Sequence, residues 1–369
     1  MRFRNAMRCR SAALAAAALL CAAAANAAPA EVSFAGKTIT LLVNFAAGSS
    51  TDVFTRMVQP YFARHLPGNP TLIVVNRPGA GGVNAATHFY ATVPPDGLTV
   101  GMFATLPAQV LAAGGAVPFR FDIARFGWIG AVSTVSVLLT APNSQIAKAD
   151  DLAGRRAPIF FAVPTLRGPN TVMGRLIFEM LGIPYKVISG YTSQPESIHA
   201  VEKGEATAAF LNVDVFVRRK DGFAQSGVRG ILQQGHQGTD GKAVGAPQVD
   251  IPEADSVLRR LAPGRIDTPE YATYRALRVG SSLAFTMLLP PGAAPELIAT
   301  LRKALRAAID DDGFKQAEAK AKSLPVNYIP GDDALKMLEA ALNDMKDPKI
   351  QAVLARLAEI KPADTAKKK

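Results

Sequence analysis

Two short segments of this chain join glycine to small polar residues in a pattern that suits anion binding by main-chain groups. The first, Phe45-Ala46-Ala47-Gly48-Ser49-Ser50-Thr51-Asp52, falls between an apolar run and a helical pattern. A strand that feeds a helix N-terminus exposes unpaired N–H groups and the positive end of the helix dipole, where negative charge is favoured. Gly48 allows close approach, while Ser49, Ser50 and Thr51 add hydroxyl donors. Ser, Thr and Asp also cap ordinary helices, so position alone leaves both readings open. The second segment, Asn76-Arg77-Pro78-Gly79-Ala80-Gly81-Gly82, follows the next apolar run. Its glycines leave the backbone uncovered and Pro78 sets the entry geometry, although Pro-Gly is also plain turn chemistry. Loops from adjacent strands should converge on one spot. Neither is a nucleotide motif: no Gly-Lys-Ser/Thr follows Gly48, and Gly79, Gly81 and Gly82 lack the full G-x-G-x-x-G frame.

Other chemistries find little support. The histidines, His65, His88, His199 and His236, have no metal-ligand spacing, and Cys9 and Cys21 both lie in the first thirty residues. No G-x-S-x-G elbow makes Ser49 or Ser50 a nucleophile. We therefore expect no metal, no cofactor and no catalytic residue, and do not expect an enzyme. An exported hydrolase or isomerase built on the same cleft is the alternative.

Around these segments the chain alternates strand and helix patterns. Residues 39–45 (ITLLVNF) read as a strand buried on both faces and 71–76 (TLIVVN) and 99–103 as a second and third strand, with helices at 52–65 and 84–92 between them. That alternation implies a doubly wound α/β sheet. Residues 127–142 are long enough for two consecutive strands, and the first crossover between lobes is placed there. A second series follows, with strands at 157–163, 185–189, 207–211 and 228–233 and helices at 171–181 and 196–203. Residues 235–250 read as a mobile Gly-rich loop and 256–277 as helical pieces before a strand at 282–289. From 295 to 360 the pattern is helical, with an extended break near 323–331. Two α/β halves predict a bilobed molecule with its ligand in the cleft. The expected division is 31–136 for lobe 1, 137–281 for lobe 2, and 282–369 returning to lobe 1 with C-terminal helices packed on it.

Residues 1–27 read as a cleaved signal peptide: a basic start, an Ala/Leu-rich stretch and the small-x-small run Ala25-Asn26-Ala27. The mature protein should then be periplasmic. Without the first thirty residues, which hold four arginines and no acid, the net charge falls from +11 to +7. No basic cluster is interleaved with aromatics, so nucleic acid is not an expected partner.

The paired loops, followed by Pro95-Asp96-Gly97-Leu98-Thr99, resemble the extracytoplasmic solute receptors of tripartite tricarboxylate transporters, the Bug family. Gly190-Tyr191 with 197–205 (SIHAVEKGE), and Pro291-Gly292 with Pro295-Glu296, agree. The resemblance implies a two-lobed, periplasmic-binding-protein-like Venus-flytrap fold that closes as a monomer on a small organic acid and presents it to a membrane permease; a membrane sensor is the alternative partner. It also implies that the first two loops hold a ligand carboxylate, at Ala47, Gly48, Ser49, Ser50, Thr51, Asp52 and at Gly79, Ala80, Gly81, Gly82. Departures stand at Ala46, where the family has Pro, at Ser49, where it has Gly, and at 163–171 (VPTLRGPNT), where it often has Gly-Ser-Gly then His. In that second-lobe region Thr165, Arg167, Tyr191 and Thr192 are candidates, with Arg167 either an anion contact or a solvent-facing side chain. Asn212 and Asp214 occupy the place of a polar pair facing the cleft, and Asp214 is equally ordinary as a helix cap. Micromolar binding needs about 8 kcal/mol, and one charge-assisted hydrogen bond contributes roughly 1.5 to 3, so donors from both lobes are required.

Overall fold

The apolar runs near the N-terminus become a parallel unit in the computed structural model, which describes residues 32–115, 118–191, 193–238, 240–321, 327–359 and the backbone of 365–366. Strand β1 (Thr38–Val43) leads through helix α1 (Ser50–His65) to β2 (Thr71–Asn76), and α2 (Val83–Thr92) leads to β3 (Thr99–Ala104). Both β2 and β3 pair with β1 in parallel register. Helix α3 (Leu106–Ala113) then precedes β4 (Gly127–Ser133) and β5 (Ser136–Thr140). Only Thr134 and Val135 separate β4 from β5, yet the two belong to different sheets. The segment expected to hold two strands is thus a crossing between lobes.

The second series comprises β6 (Ile159–Ala162), α4 (Pro169–Met180), β7 (Tyr185–Ile188), α5 (Gln194–Glu202), β8 (Ala208–Asn212), α6 (Val213–Ser226) and β9 (Arg229–Gln233). Next come the two-stranded ribbon β10 (His236–Gln237) and β11 (Ala243–Val244), then α7 (Ala254–Leu261) and α8 (Pro269–Ser282). The return strand β12 (Phe285–Leu289) is followed by α9 (Pro295–Asp310), α10 (Asp312–Lys320), β13 (Asn327–Pro330), α11 (Gly331–Asp344), α12 (Pro348–Ala358) and β14 (Thr365–Ala366). One sheet has the order β13-β4-β12-β3-β1-β2 and the other β14-β7-β6-β8-β5-β9. Both are mixed. β12 runs antiparallel to β3 and β4, and β5 antiparallel to β8 and β9; each is the strand by which the chain comes into that sheet from the other lobe.

The stretch expected to be a mobile loop is built in. The Gln233 side chain accepts from Ala246 N at 2.6 Å and donates to Ile251 O at 2.7 Å, and Ser282 Oγ exchanges hydrogen bonds with the Gln237 backbone. Buried glutamine and serine thus satisfy backbone groups that a loose loop would give to water. The helical pieces expected after it are α7 and α8.

Helix α8 decides how the lobes meet. It packs on α3 from one lobe and α4 from the other. A Cβ on Gly280 would lie 2.6 Å from Ala108 Cα, so the backbones of α8 and α3 approach as only glycine permits. Leu106 and Leu111 of α3, Val172 and Leu176 of α4, and Tyr274 and Leu277 of α8 share one buried apolar cluster. On the opposite side each lobe has its own core: α1 and α9 cover the first sheet, while Val213, Phe216 and Phe223 of α6 lie in the core of the second. The lobes are joined on one side and parted on the other. Helices α9, α10 and α11 pack on the first lobe as expected. The last helix goes further: α12 packs on α8, and Arg175 of α4 donates to Leu357 O.

Candidate functional site

The two glycine-bearing loops are neighbours. Asn76 Nδ2 donates to Phe45 O at 2.9 Å and to Asp52 Oδ1 at 3.0 Å, pinning the end of β2 to the start of α1. Asp52, whose side chain is 4% exposed, also accepts from Gly48 N at 2.9 Å and from Arg56 Nε at 3.0 Å. The Arg56 hydrogen bond holds its carboxyl below the ordinary range, with burial opposing and the Gly48 and Asn76 bonds assisting. Asp52 is therefore turned inward as a clasp. Ser49 Oγ accepts from Asp52 N at 3.3 Å and caps α1. Thr51 is buried and Ala47 exposed, which leaves Gly48 and Ser50 on the helix mouth.

That mouth opens on a cleft of ≈ 680 Å³ on the side where the lobes are parted. From the first lobe come Gly48, Ser50, Val53, Phe54, Met57 and Phe285. The crossing strands contribute Val132 to Val135, and the second lobe brings Val213, Asp214 and Arg218 of α6 with residues 244–248, which run on from the end of the ribbon. Helices α1 and α6 both begin here. Helix geometry leaves the first N–H groups of each without an intrahelical acceptor, and Asn212, at the N-cap of α6, makes no side-chain capping bond. Asn212 Oδ1 instead accepts from Ser136 Oγ at 3.4 Å. Arg218 Nη1 stands 3.7 Å from Asp214 Oδ2 across one helical turn.

At the hinge end, the Asn327 amide donates to Ser133 Oγ at 2.9 Å and stands 3.0 Å from His236 Nε2. With Nε2 as acceptor, the ring proton belongs on Nδ1, a buried nitrogen with no partner among the described residues. Burial, with the nearby Arg278 charge, lowers the His236 pKa from 6.5 to about 4. Between those values the unfolded chain binds the proton and the folded chain does not, so stability rises with pH across that window. Urea unfolding should show roughly 3 kcal/mol less stability from this residue at pH 4 than at pH 7, and His236→Gln should flatten that part of the profile.

Of the residues singled out in the sequence, Gly48, Ser50 and Asp214 line the cleft. The loop holding Gly79, Ala80, Gly81 and Gly82 does not; Gln109 of α3 donates to Gly81 O at 2.6 Å, and a Cβ on Gly82 would meet Asn44 Nδ2 at 2.2 Å. Thr165 is exposed, its carbonyl accepting from Thr171 Oγ1 at 2.7 Å. Arg167 is exposed too, reaching Ala358 O of α12 at 3.5 Å. Tyr191 is buried in the second-lobe core, and Thr192 lies outside the described residues. Sequence reasoning missed Arg218, His236, Phe54, Phe285 and the wall at 244–248. The i, i+4 spacing of Asp214 and Arg218 was the one signal available for them.

Two mixed sheets joined by crossing strands, with a cleft on the open side, make this a two-lobed α/β fold of the periplasmic-binding-protein kind. The periplasmic binding protein BugD is 17% identical, covering 90% of this chain and 99% of its own, with a TM-score of 0.59. MatC of Rhodopseudomonas palustris, solved with bound malate, is 16% identical over 86% of this chain and 99% of its own, with a TM-score of 0.58. Rpa4515 of R. palustris, solved with adipate, is 18% identical over 87% and 98%, with a TM-score of 0.61. At such identities the likeness is one of fold. No protein-family model and no curated protein matches the chain.

Proposed function

We propose that this protein is an exported, periplasmic solute-binding receptor that captures a small organic acid between its lobes and presents it to a membrane transporter. One observation carries the reading: helix N-termini from opposite lobes, at Gly48 and Ser50 and at Val213 and Asp214, face the same cleft. Both dipoles favour a negative group there, and Arg218 supplies a cation within the same wall. The structural relatives solved with malate and with adipate support a carboxylate as that group. Lobes covered by separate cores on the cleft side can close on a ligand that binds the shut form better. In this reading the protein acts as a monomer, without cofactor, and does no chemistry on its ligand.

The test is native mass spectrometry of freshly purified protein, followed by calorimetry with a panel of organic acids. A retained acid, or an acid that binds with micromolar affinity and no turnover, is the expected result. Absence of both, or conversion of the acid, rejects the reading.

A further inference from the structure

The walls of the cleft say more about the ligand than its mouth does. Phe54 and Phe285 stack with ring centroids 5.5 Å apart and planes 16° from parallel. Met57, Val132, Val135 and Val213 continue that surface. Val53 is 49% exposed and Val244 39% exposed, and these two large apolar side chains come to the cleft from opposite lobes. Apolar groups so placed gain by being covered, whereas a polar group pressed against them loses its water without a replacement. Cationic groups are scarce: Arg218 is the one lysine or arginine lining the cleft among the described residues, and it already stands 3.7 Å from Asp214. A second carboxylate on the ligand would find no cation. At the hinge end of the cleft, His236 is 6% exposed and its buried Nδ1 has no hydrogen-bond partner among the described residues.

We infer that the ligand is a monocarboxylate with a bulky apolar body, its carboxylate at the α1 mouth and its body between the Phe54–Phe285 wall and Val244. This rests on the receptor reading above and narrows it. The ribbon β10–β11 and residues 244–248 supply the far wall, so they select the ligand. A hydroxylated di- or tricarboxylate is disfavoured because its outer charge would face valine, methionine and phenylalanine.

Calorimetry on the full chain with 3-phenylpropanoate, hexanoate, butanoate, succinate and malate tests this. Two extra methylenes should make hexanoate bind about tenfold tighter than butanoate, and 3-phenylpropanoate should bind about thirtyfold tighter than malate. Val244→Asn alters a half-exposed side chain on a two-residue strand and should weaken 3-phenylpropanoate about tenfold, and malate by far less. Malate or succinate binding more tightly than 3-phenylpropanoate, or indifference to Val244→Asn, overturns the apolar body and leaves the receptor reading standing. Equal binding of 3-phenylpropanamide and its acid, or no binding by any acid, overturns the receptor reading instead.

Discussion

Ser50→Asp is expected to weaken carboxylate binding at least a hundredfold while leaving the fold intact. Ser50 is the first residue of α1 and lines the cleft. An aspartate there puts a second negative charge at the seat. Like charges about 4 Å apart repel by about 4 kcal/mol at an effective dielectric near 20, and about 2.7 kcal/mol already corresponds to a hundredfold. The fold should tolerate the change because an acid in the first turn of a helix is favoured by its dipole, by about 0.3 to 1 kcal/mol. Calorimetry and a thermal melt on the same sample separate the two effects. Ser50→Ala removes only a hydroxyl and should cost no more than about tenfold. Unchanged affinity in Ser50→Asp would remove α1 from the site.

Asp52→Ala has the opposite profile, with its main effect on stability. The carboxylate is held by Gly48 N–H, the Asn76 amide and Arg56. Arg56 is half exposed and can return to water, and the Asn76 amide keeps its bond to Phe45 O, but Gly48 N–H and Asn76 each lose a charged acceptor. At about 1 to 3 kcal/mol for each such group, a loss of about 3 kcal/mol in urea unfolding at pH 7 is expected. The pH dependence has a definite sign. Because the folded pKa is depressed, this contribution is fully present above the unfolded value near 3.8 and is lost as pH falls through the lower folded value. The gap between wild type and Asp52→Ala should therefore shrink on acidification below pH 4. A gap that stays constant to pH 2 would show that the carboxylate charge is not what the loop uses. Binding should weaken as well, since the same clasp sets the position of Gly48 and Ser50.

Buried parallel strands carry long apolar runs, and β1 and β3 were legible for that reason; β2 has the same kind of run but is the edge strand, with Ile73 and Val75 exposed. The crossing at β4 and β5 was legible because the mostly apolar stretch 127–142 is too long for one strand. Helix α6 was not. Its buried side chains are Val213, Phe216 and Phe223, and its opening Val213, Val215 and Val217 alternate as a strand would. The ribbon at 236–244 was read as a loop because two-residue strands leave no periodic signal, and their anchors, Gln233 and Ser282, are polar residues with no local pattern.

The residues by themselves determined that a strand ends in a glycine-serine turn at the start of α1, because local geometry and helix dipoles are properties of a short segment. They determined as well that a second glycine loop lies beside it, since consecutive parallel strands end at the same edge. Which side of the molecule opens was decided only by tertiary packing. Gly280 of α8 seats against Ala108 of α3, and the same helix packs on α4, so the lobes fuse along that face. The cleft is left to α1 and α6, where Phe54 and Phe285, 231 positions apart in the chain, stack to form its wall. Contacts between residues so distant depend on the volumes and angles of whole helices, and no local pattern of residue types encodes them.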